Sequence, residues 1–342
     1  MPDQLFIGYD PGRGNTDVCV NGSVSSVQSV VALGGEDLIL DGLDAVVADA
    51  HAVHYAGQRY WVGQGAWAKG LVLQAMSDSA LTAPNRIALL GAALAPHLDP
   101  TAAEPAEAVV AVGLPVTLLK EADQLAAIKA DLGRLKGEVL EFEIEKHCRE
   151  GRRSHTTRAA QRVRFSRLFV QMQPVGAGLD WLLDDSLRVA RQIQGEVLVV
   201  DIGMQTLDIC SLLVNGPVVR PTEQHIAGAQ LGVRWLLEQV DEPGLELAEK
   251  DARLRKGFIR FDPALLRLWV NEIVDTLEKR IKSLRRFKAI LLAGRGVTVA
   301  GRPLVDALQM RGAVLAQPDE PGSAVCRGLY KYAALKGRGG NA

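Results

Sequence analysis

Residues 196–211, EVLVVDIGMQTLDICS, constrain the fold more than any other stretch of the chain. Residues 197–200 are an unbroken Val/Leu run that ends on Asp201. Such a run, bounded by turn residues, marks a strand buried on both faces. Gly203, Met204, Gln205 and Thr206 follow, and then a second apolar segment, 207–213, that carries Asp208. The pattern predicts a tight hairpin with an acid at its lip. Its amides and its Thr hydroxyl suit the oxygens of a phosphate chain, while the acid holds a magnesium ion directly or through water. Hairpins containing Asp and Gly are common, so one alone decides little.

The same device opens the chain. Residues 5–10, LFIGYD, form a short apolar strand ending in Asp10. Pro11, Gly12, Arg13, Gly14, Asn15 and Thr16 make the turn, and residues 17–20 return as a second strand. The two hairpins lie about 190 residues apart. This predicts a duplicated fold with phosphate clamped between its halves.

Composition sets the frame around the hairpins. A length of 342 residues suits two domains. The 48% hydrophobic and 23% charged content is that of an ordinary globular chain. A net charge of −1 gives no global field toward DNA or an anionic membrane. No cationic, apolar leader precedes the first strand, and no apolar run approaches bilayer length. Cys19, Cys148, Cys210 and Cys326 lack paired metal spacing and read as reduced thiols, so a cytoplasmic location is expected. No metal site built on Cys or His is expected.

Between the hairpins, residues 55–63 predict two strands joined at Ala-Gly-Gln, in a small β-containing subdomain with a short helix over 65–76. His51 and His54 read as surface or satisfied residues. Residues 85–97 predict a helix, 108–112 a buried strand before Gly113-Leu114-Pro115, 117–132 a helix and 138–144 a strand. Residues 146–167 hold eight Lys or Arg against Glu150 alone. A solvated hairpin or loop is the favoured reading of that run, with a DNA or subunit contact as the sharper one. Residues 168–172 predict a strand and 179–193 a helix. Gln173 therefore sits at a strand–helix junction, where a neutral amide can position an attacking water. After the second hairpin, residues 227–232 predict a Gly-rich helix entry offering N–H groups to anions, with the helix over 233–239. Residues 264–287 predict a long helix with a basic end. Residues 289–292 predict a strand leading into Gly294-Arg295-Gly296, a turn able to lie against a base or ribose. Helices over 303–310 and 323–335 complete the chain.

The order of strand–Asp–Gly turn, Gln before a helix, second strand–Asp–Gly turn and late Gly-x-Gly resembles the actin-like ATPase superfamily. IGYDPGRGNTD, VVDIGMQTLDI and the GLPV of 113–116 are most similar to ParM-type plasmid-segregation actins and their archaeal relatives. The resemblance implies an α/β fold of two duplicated ribonuclease-H-like domains with a nucleotide cleft between them. It places domain I at 1–178 and 318–342, with a small subdomain near 31–84, and domain II at 179–317. ATP, with GTP as the substitute, and Mg²⁺ are the implied cofactors. By the same resemblance Asp10 and Asp201 organise the metal through water, and Gln173 positions the hydrolytic water. Gly12, Arg13, Gly14, Asn15 and Thr16 line one side of the phosphates, with Gly203, Met204, Gln205 and Thr206 on the other. Gly228, Gly294, Arg295 and Gly296 approach the nucleoside. The second turn departs from the family by carrying Met204 and Gln205 where glycines are usual. Residues 241–262 offer Glu249 and Lys250 as candidates for adenine contact.

Three functions share such a fold. The favoured one is an ATPase that assembles head to tail into filaments for DNA segregation or intracellular positioning, with a DNA-binding adaptor as partner and no direct nucleic-acid contact. A sugar- or acetate-kinase-like phosphotransferase and a chaperone-type ATPase are the alternatives. The first needs a carboxylate base beside the turns, where only Asp208 is available; the second needs a further substrate-binding domain. No membrane partner is expected.

Overall fold

The computed structural model describes residues 4–34, 51–63, 66, 70–75, 81–120, 122–150, 153–216 and 218–339. It is built on two sheets. In the first, β1 (Leu5–Pro11), β2 (Asn15–Val20), β3 (Ser23–Gln28), β4 (Val30–Gly34), β5 (His51–Tyr55), β6 (Gln58–Val62), β7 (Gly70–Ala75), β8 (Ala106–Leu114), β9 (Val139–Glu150) and β10 (Arg153–Met172) lie in the order 3-2-1-8-10-9-5-6-4-7. In the second, β11 (Gln194–Ile202), β12 (Leu207–Asn215), β13 (Val218–Ala229), β14 (Ala289–Ala293) and β15 (Leu315–Ala316) lie in the order 13-12-11-14-15.

The duplication is written in the pairing. Running β3-β2-β1-β8-β10, neighbours pair antiparallel, antiparallel, parallel, parallel. Running β13-β12-β11-β14-β15 gives the same sequence of senses. The first sheet differs by its extension through β9-β5-β6-β4-β7.

Nine α-helices are described: α1 (Pro84–Leu94), α2 (Val116–Lys120), α3 (Ala122–Leu135), α4 (Gln173–Leu182), α5 (Val233–Glu238), α6 (Leu247–Arg255), α7 (Pro263–Arg280), α8 (Arg295–Gln309) and α9 (Ala324–Arg338). The central strands alternate between two apolar layers, which is why they read as continuous runs. On β11, Leu198, Val200 and Ile202 face a core shared with α5, α7 and α8, whereas Val197 and Val199 face a middle core. That middle core also holds Val109 and Ala111 of β8, all of α4's large apolar residues, and Ala324, Val325 and Leu329 of α9. Helices α4 and α9 are therefore sandwiched between the sheets. They cross on glycines: a Cβ on Gly328 would lie 1.7 Å from the carbonyl oxygen of Gly176. α9 also lies on β1, where a Cβ on Gly8 would meet the Cys326 carbonyl oxygen at 1.9 Å.

An ion cluster locks the same two helices. Lys331, 4% exposed, uses its three protons on Asp180 Oδ1 (3.0 Å), Asp180 O (3.1 Å) and Leu183 O (2.8 Å). Arg327 Nη2 donates to Asp180 Oδ2 at 2.7 Å. Each donor of this buried ammonium thus meets an oxygen, so its burial leaves no hydrogen bond unmade.

Three predicted elements are corrected. The helix expected over 179–193 runs instead from Gln173 to Leu182. Leu183 turns extended, Leu187 adopts φ +63°, and Asp184 bonds Arg188 through both its side chain (2.8 Å) and its backbone (2.9 Å). Local Asp-to-backbone bonding thus outcompetes helix continuation. The short helix expected over 65–76 is replaced, in the described part, by β7, which pairs antiparallel with β4. Residues 227–229 end β13 rather than opening a helix. The basic run 146–167 lies in the long β9–β10 hairpin. The hairpin matches the favoured reading, but Gln161, Val163 and Phe165 are buried rather than solvated, β10 pairing with β8 as well. His54 is satisfied by Glu145 at 2.8 Å.

Candidate functional site

Each hairpin places its two acids directly opposite one another. Asp10 pairs in register with Asp17, and Asp201 with Asp208. In both, four residues separate the last register pair, Pro11–Thr16 or Ile202–Leu207. The hairpins meet at their tips, where Arg13 Nη1 donates to Gln205 Oε1 and a Cβ on Gly14 would come 2.7 Å from Met204 Cβ. Asp10, Asp17, Asp201 and Asp208 thereby line one cavity of about 1130 Å³.

Directly opposed strand residues have Cβ atoms about 5 Å apart. Two ionised carboxylates at that spacing repel by about 3 kcal/mol at an effective dielectric of about 20. The hydrogen bonds that oppose this are few. Gln173, the first residue of α4, donates Nε2 to Asp10 Oδ1 at 2.6 Å, and Thr206 Oγ1 donates to Asp208 Oδ2 at 2.8 Å. A hydrogen bond to a charged group returns about 1.5–3 kcal/mol, so repulsion and burial together outweigh it. Burial, and then Asp17, push Asp10 up to about 7, against the opposing Gln173 bond. Burial raises Asp208 to about 6, with Thr206 and the Val116 amide opposing. Asp201 is pushed well above the usual carboxylate range by burial, then by Asp208 and Asp10. Burial raises Asp17 too, with Arg295 the main opposing charge.

The donor set fits a hydrated divalent cation. Asp208 Oδ1 and Asn15 Oδ1 belong to cavity-lining residues, are buried, and have no hydrogen-bond partner. Among the described residues no group of three His, Cys, Asp or Glu is close enough to ligate an ion directly. Hard oxygen donors that line one cavity without forming a direct ligand cluster suit Mg²⁺, which retains much of its water shell.

The other predicted positions divide. Gly12, Arg13, Gly14, Asn15, Gln173, Gly203, Met204, Gln205, Thr206, Gly294 and Arg295 line the cavity. Thr16, Gly228 and Gly296 are not in that lining. Thr16 is fully buried, with its hydroxyl 3.2 Å from that of Ser29. A Cβ on Gly228 would strike Thr117 Cγ2 at 2.6 Å, and one on Gly296 would strike Ile202 Cγ2 at 2.2 Å. Those two glycines permit element packing. Gly294 does both: its φ is +84°, and a Cβ there would lie 2.3 Å from Asp201 Oδ1.

The Met204–Gln205 departure costs the turn nothing, because no residue of 203–206 has a positive φ. The helix entry at 232–234 does not offer its N–H groups to an anion. Gly232 N bonds Gln205 O (3.0 Å), Val233 N bonds Gly203 O (3.2 Å) and Arg234 N bonds Met204 O (2.7 Å). Glu249 and Lys250 are also diverted: Glu249 completes the capping box of α6, and Lys250 Nζ donates to Val240 O at 2.8 Å. From the same helix Asp251, Leu254 and Arg255 reach the cavity instead. Sequence reasoning missed these, and also Asp17 and Arg86. The Asp17 signal was present, since it mirrors Asp208 seven residues after its hairpin's first acid.

Residues 8–176 match the family described as Actin like proteins N terminal domain. No curated protein matches the sequence. Among solved structures, apo psk41 ParM aligns with a TM-score of 0.68 at 16% identity, covering 98% of each chain. The archaeal actin homolog Ta0583 in complex with ADP aligns with a TM-score of 0.66 at 20% identity, over 96% of this chain and 99% of that one. A 15-stranded ParM filament from Clostridium botulinum aligns with a TM-score of 0.64 at 15% identity, over 97% of this chain and 99% of that one. Residues 8–176 thus resemble the N-terminal domain of actin-like proteins, and the chain over its whole length has the actin-like, ParM-type fold.

Proposed function

We propose that this chain is a Mg²⁺-dependent ATPase whose nucleotide state controls assembly into filaments, and that the filaments segregate DNA or position cargo in the cytoplasm through a DNA-binding adaptor. The observation that carries the reading is the pair of acid-lipped hairpins meeting tip to tip around one cavity. ATP is the nucleotide proposed, with GTP as the alternative. Domain I spans 1–178 and 318–342 and domain II spans 179–317, so that α4 and α9 connect the moving parts.

In this mechanism Gly12, Gly14, Asn15, Gly203 and Thr206 receive the phosphates, with backbone and short side chains approaching closely. Mg²⁺, when bound, would supply positive charge to the phosphates. Asp10 and Asp201 hold its waters. Gln173 already donates one amide proton to Asp10, so its carbonyl oxygen is free to accept from an attacking water and aim it. Closure around the nucleotide presents matched ends to the next copy, and such head-to-tail contacts generate open filaments. Loss of the terminal phosphate relaxes the cleft and weakens them. Among the described residues no helix is long and apolar enough to cross a membrane.

A second reading, a small-molecule phosphotransferase, has one observation in its favour. Asp208 is a buried carboxyl raised to about 6 with one oxygen unpartnered, as an acceptor-activating base requires. Sedimentation with ATP and Mg²⁺ separates the two. The filament reading expects polymer in the pellet that disappears after hydrolysis; a chain that stays soluble while phosphorylating a small acceptor supports the second reading and sinks the first.

A further inference from the structure

An ion pair joins the two halves of the site. Arg295, the first residue of α8 on the second sheet, places Nη2 3.2 Å from Asp17 Oδ1 and 2.7 Å from Ser26 Oγ, both on the first sheet. The partners are unequal: the Asp17 side chain is 7% exposed, whereas that of Arg295 is 43% exposed. Asp17 stands opposite Asp10 in register, so Arg295 serves an acid pair rather than a single carboxylate. The guanidinium also follows Gly294 in the turn that faces the cavity. A planar fork of N–H donors binds phosphate as well as it binds carboxylate. The accessible member of this pair can therefore be taken by an entering ligand while the buried acid stays behind.

We propose that Arg295 is the chain's built-in counter-ion for the Asp10–Asp17 pair, and that a nucleotide phosphate takes the guanidinium from Asp17 when the metal-bound nucleotide fills the cleft. The assignment rests on the nucleotide reading above for its second half only. In the ligand-free chain Arg295 and a divalent cation compete for one acid field. The tie between the halves is thus one that ligand displaces.

The test uses the full chain and the variants Arg295→Gln, Arg295→Lys, Asp17→Asn and the Arg295→Gln/Asp17→Asn double variant. Without nucleotide, Arg295→Gln lowers the melting midpoint by about 2–4 °C, Arg295→Lys recovers part of the loss, and the loss vanishes in the Asp17→Asn background. Mn²⁺ alone, titrated calorimetrically, binds Arg295→Gln about tenfold more tightly than the wild type. Additive Arg295 and Asp17 effects, or equal Mn²⁺ affinities, would overturn the counter-ion role. Metal-free ADP binds the wild type about tenfold more tightly than Arg295→Gln; equal affinity overturns the transfer to phosphate. Absence of ADP binding to either protein overturns the transfer to phosphate; the nucleotide reading falls with it only if Mg²⁺-ADP also fails to bind, while the melting and Mn²⁺ data still decide the counter-ion role.

Discussion

The hairpin of residues 10–17 and that of residues 201–208 share length, register and acid pair, yet they are supported differently. In the first, Ser29 takes two turn carbonyls, its Oγ donating to Gly12 O at 2.6 Å and its N to Gly14 O at 3.1 Å. The second is held by the first turn of α5, which absorbs the carbonyls of Gly203, Met204 and Gln205. Their charges differ as well. The first pair faces Arg295, whereas Asp201 has only two carboxylates, Asp208 and Asp10, as its influential charged neighbours. A duplicated element can thus keep its geometry while its two copies divide the electrostatic work. Within the second copy Arg13 opposes the charge of Asp208, but among the described residues no cation opposes that of Asp201, and there a cation is needed most.

The largest expected effect tests that division. Asp201→Ala reduces phosphate release on the order of a thousandfold, measured in single turnover, because it removes the acid with no cation beside it. Gln173→Ala slows hydrolysis about a hundredfold, leaves nucleotide affinity within about threefold, and prolongs the lifetime of sedimented polymer. Rapid turnover in that variant would remove Gln173 from the chemistry.

A pH scan of the nucleotide-free chain probes the first hairpin. Asp10 carries a folded-state value of about 7, above its ordinary 3.8. The folded state therefore holds a proton that the unfolded chain releases, and stability present below about pH 4 is lost as pH rises toward 7. The melting midpoint falls over that window by an amount equivalent to a few kcal/mol at most, and Asp10→Asn flattens the fall. A midpoint rising over the same window would contradict the burial of an uncompensated acid. The smallest effect compares the two threonines. Thr206→Val removes the Asp208 bond and weakens Mg²⁺-nucleotide binding by about 1 kcal/mol, roughly fivefold, whereas Thr16→Val costs a similar amount of stability and leaves affinity unchanged.

Much of this was legible in the sequence because burial on both faces leaves a continuous apolar run, and two such runs here end on an acid. Residues 197–201 and 5–10 announced their strands, their turn and their duplication. The helix over 179–193 was not legible, since its end is set by Asp184 bonding to Arg188 and by the distant Lys331 holding Leu183 O. Gly228 and Gly296 looked like ligand contacts because glycine serves two purposes, close packing and close approach, and composition alone does not separate them. The roles of Glu249 and Lys250 depended on helix phase: α6 turns Asp251 and Arg255, four apart, toward the site, where they also pair at 2.7 Å. Arg295 was visible as a residue of the turn, but its partner across the cleft lies 278 positions away.

Calorimetric titration of a non-hydrolysable ATP analogue with Mg²⁺, below the concentration at which polymer forms, tests the shared grip most directly. One site per chain is expected, weakened about a hundredfold on replacing either Asp10 or Asp201 by alanine. Undiminished binding after either replacement would show that the two hairpins do not hold one ligand between them.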